Sequence, residues 1–276
     1  ECRAVLSNYF AGLRGADGVG CGCGANLEAH VAHAEALADG EDLAGETLDF
    51  GPVQRRPRRV LLAIDSFKGS VSSAQAEEVV AEGVRRVWPD AQVSALPLAD
   101  GGEGTLDAVA ACGGEIVTCE VAGPLGKCVA ARMLVDGEHE SAVIEMAEAA
   151  GIGCSPCTES AALAATTYGV GELMLRAVRA GARTLYMGLG GSATNDAGAG
   201  LLQALGVRLL DGNGNDLKHG GAALANLATI DISTMDPALK NVAITAACDV
   251  TNPLTGPTGA SAVFGPQKGA SKDDVA

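Results

Sequence analysis

One stretch restricts this chain more than any other. From Leu185 to Gly200 the sequence reads LYMGLGGSATNDAGAG, an apolar run fit for a buried strand, then a turn rich in glycine, then small residues that open a helix running to Leu205. Gly190, Gly191, Ser192, Thr194, Asn195 and Asp196 occupy the turn and offer bare N–H groups, hydroxyls, an amide and a carboxylate. Glycine lets a backbone approach a ligand closely, and the first turn of a helix presents unpaired N–H groups to an anion. The spacing is neither GxxxxGK[ST] nor GxGxxG, so the turn by itself fits a phosphate site and an ordinary tight connection equally well.

The pattern recurs along the chain. Val60 to Ile64 leads into Asp65-Ser66-Phe67-Lys68-Gly69-Ser70, Ala91 to Leu98 into Ala99-Asp100-Gly101-Gly102-Glu103-Gly104-Thr105, and Val242 to Ala247 into Cys248-Asp249-Val250-Thr251-Asn252. Apolar strands thus deliver Asp65, Asp100, Asp196 and Asp249 to polar loops. In an open parallel α/β sheet ligands bind outside the carboxyl ends of the strands, so the four loops are expected on one rim. Carboxylates gathered there repel one another unless a divalent cation, a shared proton or cationic side chains intervene, and Lys68 and Lys268 lie in two such loops. Carboxylates, lysines and glycine N–H groups together suit phosphoryl transfer, where positioning and charge neutralisation supply most of the catalysis. The structural alternative is that each Asp caps the helix behind it.

Elsewhere, Ser72 and Gln75 form a capping-box pattern ahead of a helix whose Val80, Val84, Val87 and Trp88 read as a core stripe. Residues 115–121, 127–135 and 141–146 read as antiparallel strands with a hairpin at Asp136-Gly137, and residues 161–180 as one helix. A net charge of -15 excludes general nucleic-acid binding, and no apolar run is long enough for a membrane span. Nine scattered cysteines read as reduced thiols, most of them small core residues, in a cytoplasmic protein. Cys21, Cys23, His30 and His33 are spaced too tightly for a zinc site, and Cys154 and Cys157 lack a partner pair.

Residues 1–57 have a character of their own and close on the Arg-rich run at 54–59; they read as an N-terminal extension outside the catalytic region. Position 1 is Glu and residues 272–276 look like the start of a helix, so the sequence reads as cut at both ends.

Over residues 58–276 the loops carry a resemblance. DSFKGS at 65–70, ADGGEGT at 99–105, TTYGVGE at 166–172, GLGGSATND at 188–196, CDVTNPL at 248–254 and FGPQKGA at 264–270 resemble, in order, the successive blocks of the type I glycerate kinase family. The resemblance implies transfer of the γ-phosphate of ATP to D-glycerate, giving 2-phosphoglycerate, with Mg²⁺. It also implies a two-lobed α/β fold, a mainly parallel sheet flanked by helices with a second α/β lobe inserted in the first. Against that pattern, the later glycine-rich block of the family has no counterpart before Ala276.

On this reading Asp65, Lys68 and Asp196 are the expected catalytic residues, with Asp65 taking the proton. Asp196 is the expected Mg²⁺ ligand, with Asn195 helping. Ser66, Asp100, Gly101, Gly102, Glu103, Thr105, Gly190, Gly191, Ser192, Thr194, Asn195, Asp249, Asn252, Gln267 and Lys268 are the expected substrate and nucleotide contacts. Two alternatives stand beside it. One is another small-molecule kinase, since GLGGSA at 188–193 is also similar to the GLxSSA loop of the galactokinase-type superfamily. The other is a carboxylate- or nucleotide-binding piece without catalysis.

Overall fold

The apolar run before Asp65 forms strand β1 (Arg59–Leu62), and the run before the paired glycines forms β2 (Gln92–Ala95). They pair in parallel, Val60 beside Val93. The computed structural model describes residues 57–67 and 71–275, and every structural statement below concerns these. The expectations placed on residues 1–56, including the cysteine and histidine set at 21–33, and on Lys68 lie outside the described residues.

Helix α1 (Ser73–Val87) joins the two strands, and its start is the predicted capping box. Ser72 Oγ accepts the Gln75 N–H at 3.3 Å while Gln75 Oε1 accepts the Ser72 N–H at 3.1 Å, so two orphan donors of the first turn are satisfied reciprocally. The valine stripe is not the core face, however. Ser73, Ala76, Glu77 and Ala81 are buried, whereas Val80 is 41% and Val87 66% exposed, and Val84 and Trp88 are half-buried. Polar anchoring sets this rotation. Glu77 Oε1 accepts the Ile64 N–H at 3.2 Å, and Ser73 Oγ donates to the Ile64 carbonyl while accepting the Leu98 N–H at 3.2 Å. These bonds satisfy backbone groups beyond the strand ends, a requirement that outweighs burying a valine.

After α2 (Thr105–Ala110) the chain lays down β3 (Glu115–Ala122), β4 (Cys128–Asp136) and β5 (Ser141–Glu145), antiparallel as expected. The hairpin after Asp136 is held by its own carboxylate, whose Oδ1 accepts the N–H groups of Glu138 and His139 at 3.1 and 3.2 Å. Helix α3 (Met146–Ala150) follows β5 directly, then come α4 (Glu159–Ala164), α5 (Tyr168–Arg179) and β6 (Thr184–Gly188). Helix α6 (Ala199–Ala204) leads to a small antiparallel pair, β7 (Arg208–Leu210) and β8 (Thr229–Asp231). Strand β9 (Ala243–Ala247) completes a five-stranded sheet of order β3-β4-β5-β6-β9, parallel from β5 onward. Two short helices, α7 (Ala260–Phe264) and α8 (Lys272–Val275), follow.

This is an α/β fold in which every strand that leads into a predicted site loop lies in a parallel pair and the sheet is flanked by helices. Alternation along β5 buries both sheet faces. Ala142 and Ile144 join Leu173 and Met174 of α5 and Leu185 of β6 in the main core, while Val143 packs with Leu106 of α2 and Leu134 on the other side.

Two further expectations are corrected. Residues 161–180 are two helices, because Ala165 to Thr167 leave the helical path: the Thr166 N–H goes to the Pro124 carbonyl at 2.9 Å and the Thr167 N–H to the Asp196 carboxylate at 2.8 Å. None of the six described cysteines is buried, Cys119 being half-buried and the other five exposed, so Ala, Val and Leu fill the core without them. Among the described residues no helix is long and apolar enough to cross a membrane.

Gly169 at the start of α5 sits where a Cβ would come within 1.9 Å of the Ala122 carbonyl oxygen, so helix and β3 touch through bare backbone. Gly169→Ala is expected to destabilise by about 1–3 kcal/mol through overpacking, read by denaturant unfolding as a lowered midpoint with an unchanged slope.

Candidate active site

The loops after β2 and β6 meet backbone to backbone. The Gly190 N–H donates to the Gly101 carbonyl at 3.0 Å, and the Leu189 N–H to the Ala247 carbonyl at the end of β9 at 3.3 Å. A Cβ on Gly188 would lie 2.6 Å from Gly101 O, one on Gly190 2.5 Å from Gly102 Cα, and one on Gly101, whose φ is +88°, 2.8 Å from Ala247 O. Two of the glycines predicted to cradle a ligand, Gly101 and Gly190, are therefore needed first for this contact. Asp100 and Thr105 keep the 99–105 loop in shape: Asp100 Oδ1 accepts the Gly102 N–H at 2.8 Å, and Thr105 Oγ1 donates to the Gly102 carbonyl at 2.8 Å.

Beside this junction lies a cleft of about 800 Å³, bordered by Ser66, Glu103, Glu145, Glu148, Arg132 and Gly191 among others. Of the predicted residues, Ser66, Glu103 and Gly191 reach it. Asp65 next to Ser66 is exposed and its Oδ1 accepts the Ser66 N–H at 2.7 Å. Asp249, Asn252 and Gln267 are exposed and do not border the cleft; Asn252 Nδ2 donates to the Thr258 carbonyl at 2.9 Å.

The rest of the β6 loop turns inward. Asp196 is 1% exposed, and its Oδ2 accepts the Thr167 N–H at 2.8 Å, the Thr167 hydroxyl at 2.9 Å and the Gly200 N–H at 3.1 Å, while Oδ1 accepts the Gly198 N–H at 3.1 Å. It ties the break before α5 to the start of α6. Lys268, 8% exposed, donates to Ser192 Oγ at 3.1 Å and to the Thr194 carbonyl. Burial holds its ammonium below the usual lysine range, with the charge of Asp196 acting in the opposite direction. Asn195 Nδ2 donates to Ser261 Oγ at 2.8 Å.

These residues do not fit the Mg²⁺ assigned to them. A magnesium ion on Asp196 would compete with four hydrogen-bond donors for a buried carboxylate, and Asn195, whose Nδ2 donates to Ser261, has only its amide oxygen to add. Among the described residues no three His, Cys, Asp or Glu side chains come together as a metal-binding group.

The sequence reading overlooked the charged wall of the cleft. Arg132 on β4 donates to Glu148 Oε1 from Nε at 3.0 Å and from a terminal nitrogen at 2.6 Å, and to Asp107 Oδ1 at 2.9 Å. Those bonds, to Glu148 above all, raise its guanidinium beyond the usual arginine range. Glu145 is 2% exposed and accepts the Leu106 N–H at 2.7 Å through Oε1. The sequence signal for it is its place at the end of the apolar run 141–146, and it lies outside the strand-to-glycine-loop pattern because no glycine loop follows.

An α/β frame with a cleft at glycine-bearing carboxyl ends of parallel strands is the class of arrangement in which open α/β proteins bind small ligands. Comparison with known proteins narrows it: residues 60–276 match the sequence model of the Glycerate kinase family, and the chain belongs to that family. It is 51% identical over 216 residues to a glycerate kinase of Bacillus subtilis, covering 78% of this chain and 56% of that protein. A glycerate 2-kinase of Escherichia coli is 48% identical over 215 residues, with coverage of 78% and 56%. The crystal structure of a protein named glycerate kinase 2 from Salmonella typhimurium LT2 superposes with a TM-score of 0.71 at 49% identity, covering 79% of this chain and 59% of that one. The chain thus spans a little over half the length of these relatives.

The geometry gives Asp196 a structural part, and this can be separated from a chemical one. Asp196→Asn exchanges a carboxylate oxygen facing N–H and O–H donors for an NH₂ group, so stability is expected to fall by about 1–3 kcal/mol. Thermal unfolding run beside an activity assay decides: a purely catalytic residue would lose activity at an unchanged melting temperature.

Proposed function

We propose that the full-length protein transfers the γ-phosphoryl group of ATP to the 2-hydroxyl of D-glycerate, giving 2-phosphoglycerate. The observation that carries the reading is the cleft at the β2 and β6 loop junction, in a chain whose residues 60–276 match the glycerate kinase family. Kinases of this kind use ATP as phosphate donor, and the bare backbone at Gly191 and the hydroxyl of Ser66 border the cleft where phosphate oxygens would lie. The cleft is acidic, with Glu103, Asp107, Glu145 and Glu148 against a paired Arg132, which favours a nucleotide that brings its own cation. Magnesium sites in kinases are built largely from substrate phosphates, so this reading leaves Mg²⁺ to the nucleotide and not to Asp196. Residues 1–57 stand outside the kinase region on this reading, and the protein works in the cytoplasm on a small-molecule substrate.

The test is phosphorus NMR of the product formed by the full-length protein from ATP and D-glycerate. A single resonance of 2-phosphoglycerate is expected; exclusive 3-phosphoglycerate would refute the regiochemistry, and the absence of glycerate-dependent turnover would refute the activity.

Lys68 follows Ser66, which borders the cleft, by two positions in the sequence, and we assign it a phosphate or glycerate carboxylate contact. Lys68→Ala is expected to lower kcat/KM on the order of a hundredfold at nearly unchanged stability, since a transition-state charge contact is worth several kcal/mol. Activity within about threefold of the parent protein would make it a solvated surface lysine.

A further inference from the structure

Among the described carboxylates that border the cleft, three are accounted for. Asp107 and Glu148 hold the Arg132 guanidinium, and Glu103 is exposed to solvent. Glu145 differs from all of them. It is the last residue of β5, in register with Gly188 at the end of β6, so the sheet fixes its backbone beside the glycine loop. It is 2% exposed yet borders the cleft; Oε1 is held by the Leu106 N–H at 2.7 Å, while Oε2 accepts no hydrogen bond from the described residues and keeps some contact with solvent. A carboxylate with one oxygen anchored to the backbone and the other left open at the border of a cleft is fixed in place and can accept a proton from what enters there.

We propose that Glu145 is the proton acceptor of the phosphoryl transfer, receiving through Oε2 the proton of the alcohol that enters the cleft; this rests on the kinase reading above. As the alcohol oxygen bonds to the γ-phosphorus, the bond from that phosphorus to the oxygen bridging it to the β-phosphate breaks. ADP departs with the electron pair. The alcohol proton passes to Glu145 and from there to solvent after product leaves.

The surroundings suit the task. Burial pushes the Glu145 carboxyl from an ordinary 4.5 up to about 7, against the pull of the Leu106 hydrogen bond; the charges of Glu148 from α3 and Asp107 from α2 add to the rise and Arg132 from β4 opposes it. A base whose affinity for protons matches the working pH is both ionised often enough to act and basic enough to take the proton. Below that range Glu145 carries a proton and cannot accept another, so kcat/KM falls as pH is lowered through it. The exposed Asp65, first favoured for this part, has one carboxylate oxygen on its neighbour's N–H and does not border the cleft.

The experiment compares the full-length protein with its Glu145→Gln and Glu148→Gln variants, using ATP and D-glycerate across pH. Glutamine keeps an oxygen for the Leu106 N–H, and thermal unfolding checks that the fold survives. Glu145→Gln is expected to lower kcat by about a hundredfold or more with KM for ATP within about threefold, and to lose the acidic limb of the profile. Glu148→Gln, which removes a neighbouring negative charge, is expected to move that limb to lower pH. If the parent protein makes no phosphoglycerate, the kinase reading fails and this proposal with it. If the parent turns over while Glu145→Gln stays within about threefold of its kcat and keeps the limb, Glu145 alone is refuted. Should Glu145→Gln not fold, a parent profile with no limb between about pH 6 and 8, or one that Glu148→Gln leaves in place, overturns the proposal.

Discussion

The contact between the loops after β2 and β6 is the constraint on which the rest of the site depends. Two sheets with no strand pairing between them, β1-β2 and the five-stranded sheet, meet here through a main-chain hydrogen bond from Gly190 to Gly101 and through positions where no side chain fits. Any Cβ at Gly188 or Gly190 would push the two loops apart by overlapping backbone atoms, which cannot rotate away as a flexible side chain can. The cleft exists because this joint holds the two sheets at one distance.

Charge is handled by a different device on each side of the joint. On the cleft side Arg132 is shared between Glu148 and Asp107, neutralising part of an acidic wall. On the inner side Asp196 is stabilised chiefly by main-chain and hydroxyl donors, and Lys268 is folded over the carbonyl of Thr194. The strand-end carboxylates therefore divide into different kinds of work: Asp100 and Asp196 shape loops, and Glu145 keeps an oxygen in reserve.

Much of this was legible in the sequence, because period-2 apolar runs, the Ser72 and Gln75 box and the Asp136 hairpin are local signals and the structure realises them locally. The convergence of the 99–105 and 188–196 loops was legible only as a topological rule, which locates a rim without saying which side chains face it. The rule treated the four aspartates as equivalent; whether an oxygen is free depends on donors far away in sequence, such as Thr167 for Asp196. The orientation of α1 was misread for a related reason. A valine stripe records hydrophobicity, while the helix is turned by Ser73 and Glu77 reaching backbone groups that no periodicity reveals. Arg132 sits on a strand that read as plain scaffold and Glu148 on a short helix that the sequence reading did not mark, and only their proximity gives them meaning.

Strand β5 passes into α3 without a connecting residue, since Glu145 is at once the last strand position and the residue before Met146. The usual way for a protein lineage to retune a site is to lengthen or shorten the loop that carries it. That route is closed at this corner, because an insertion would break either the ladder to Gly188 or the first turn that brings Glu148 to Arg132. Variation in what the cleft accepts must then come from its other walls, while this corner stays rigid.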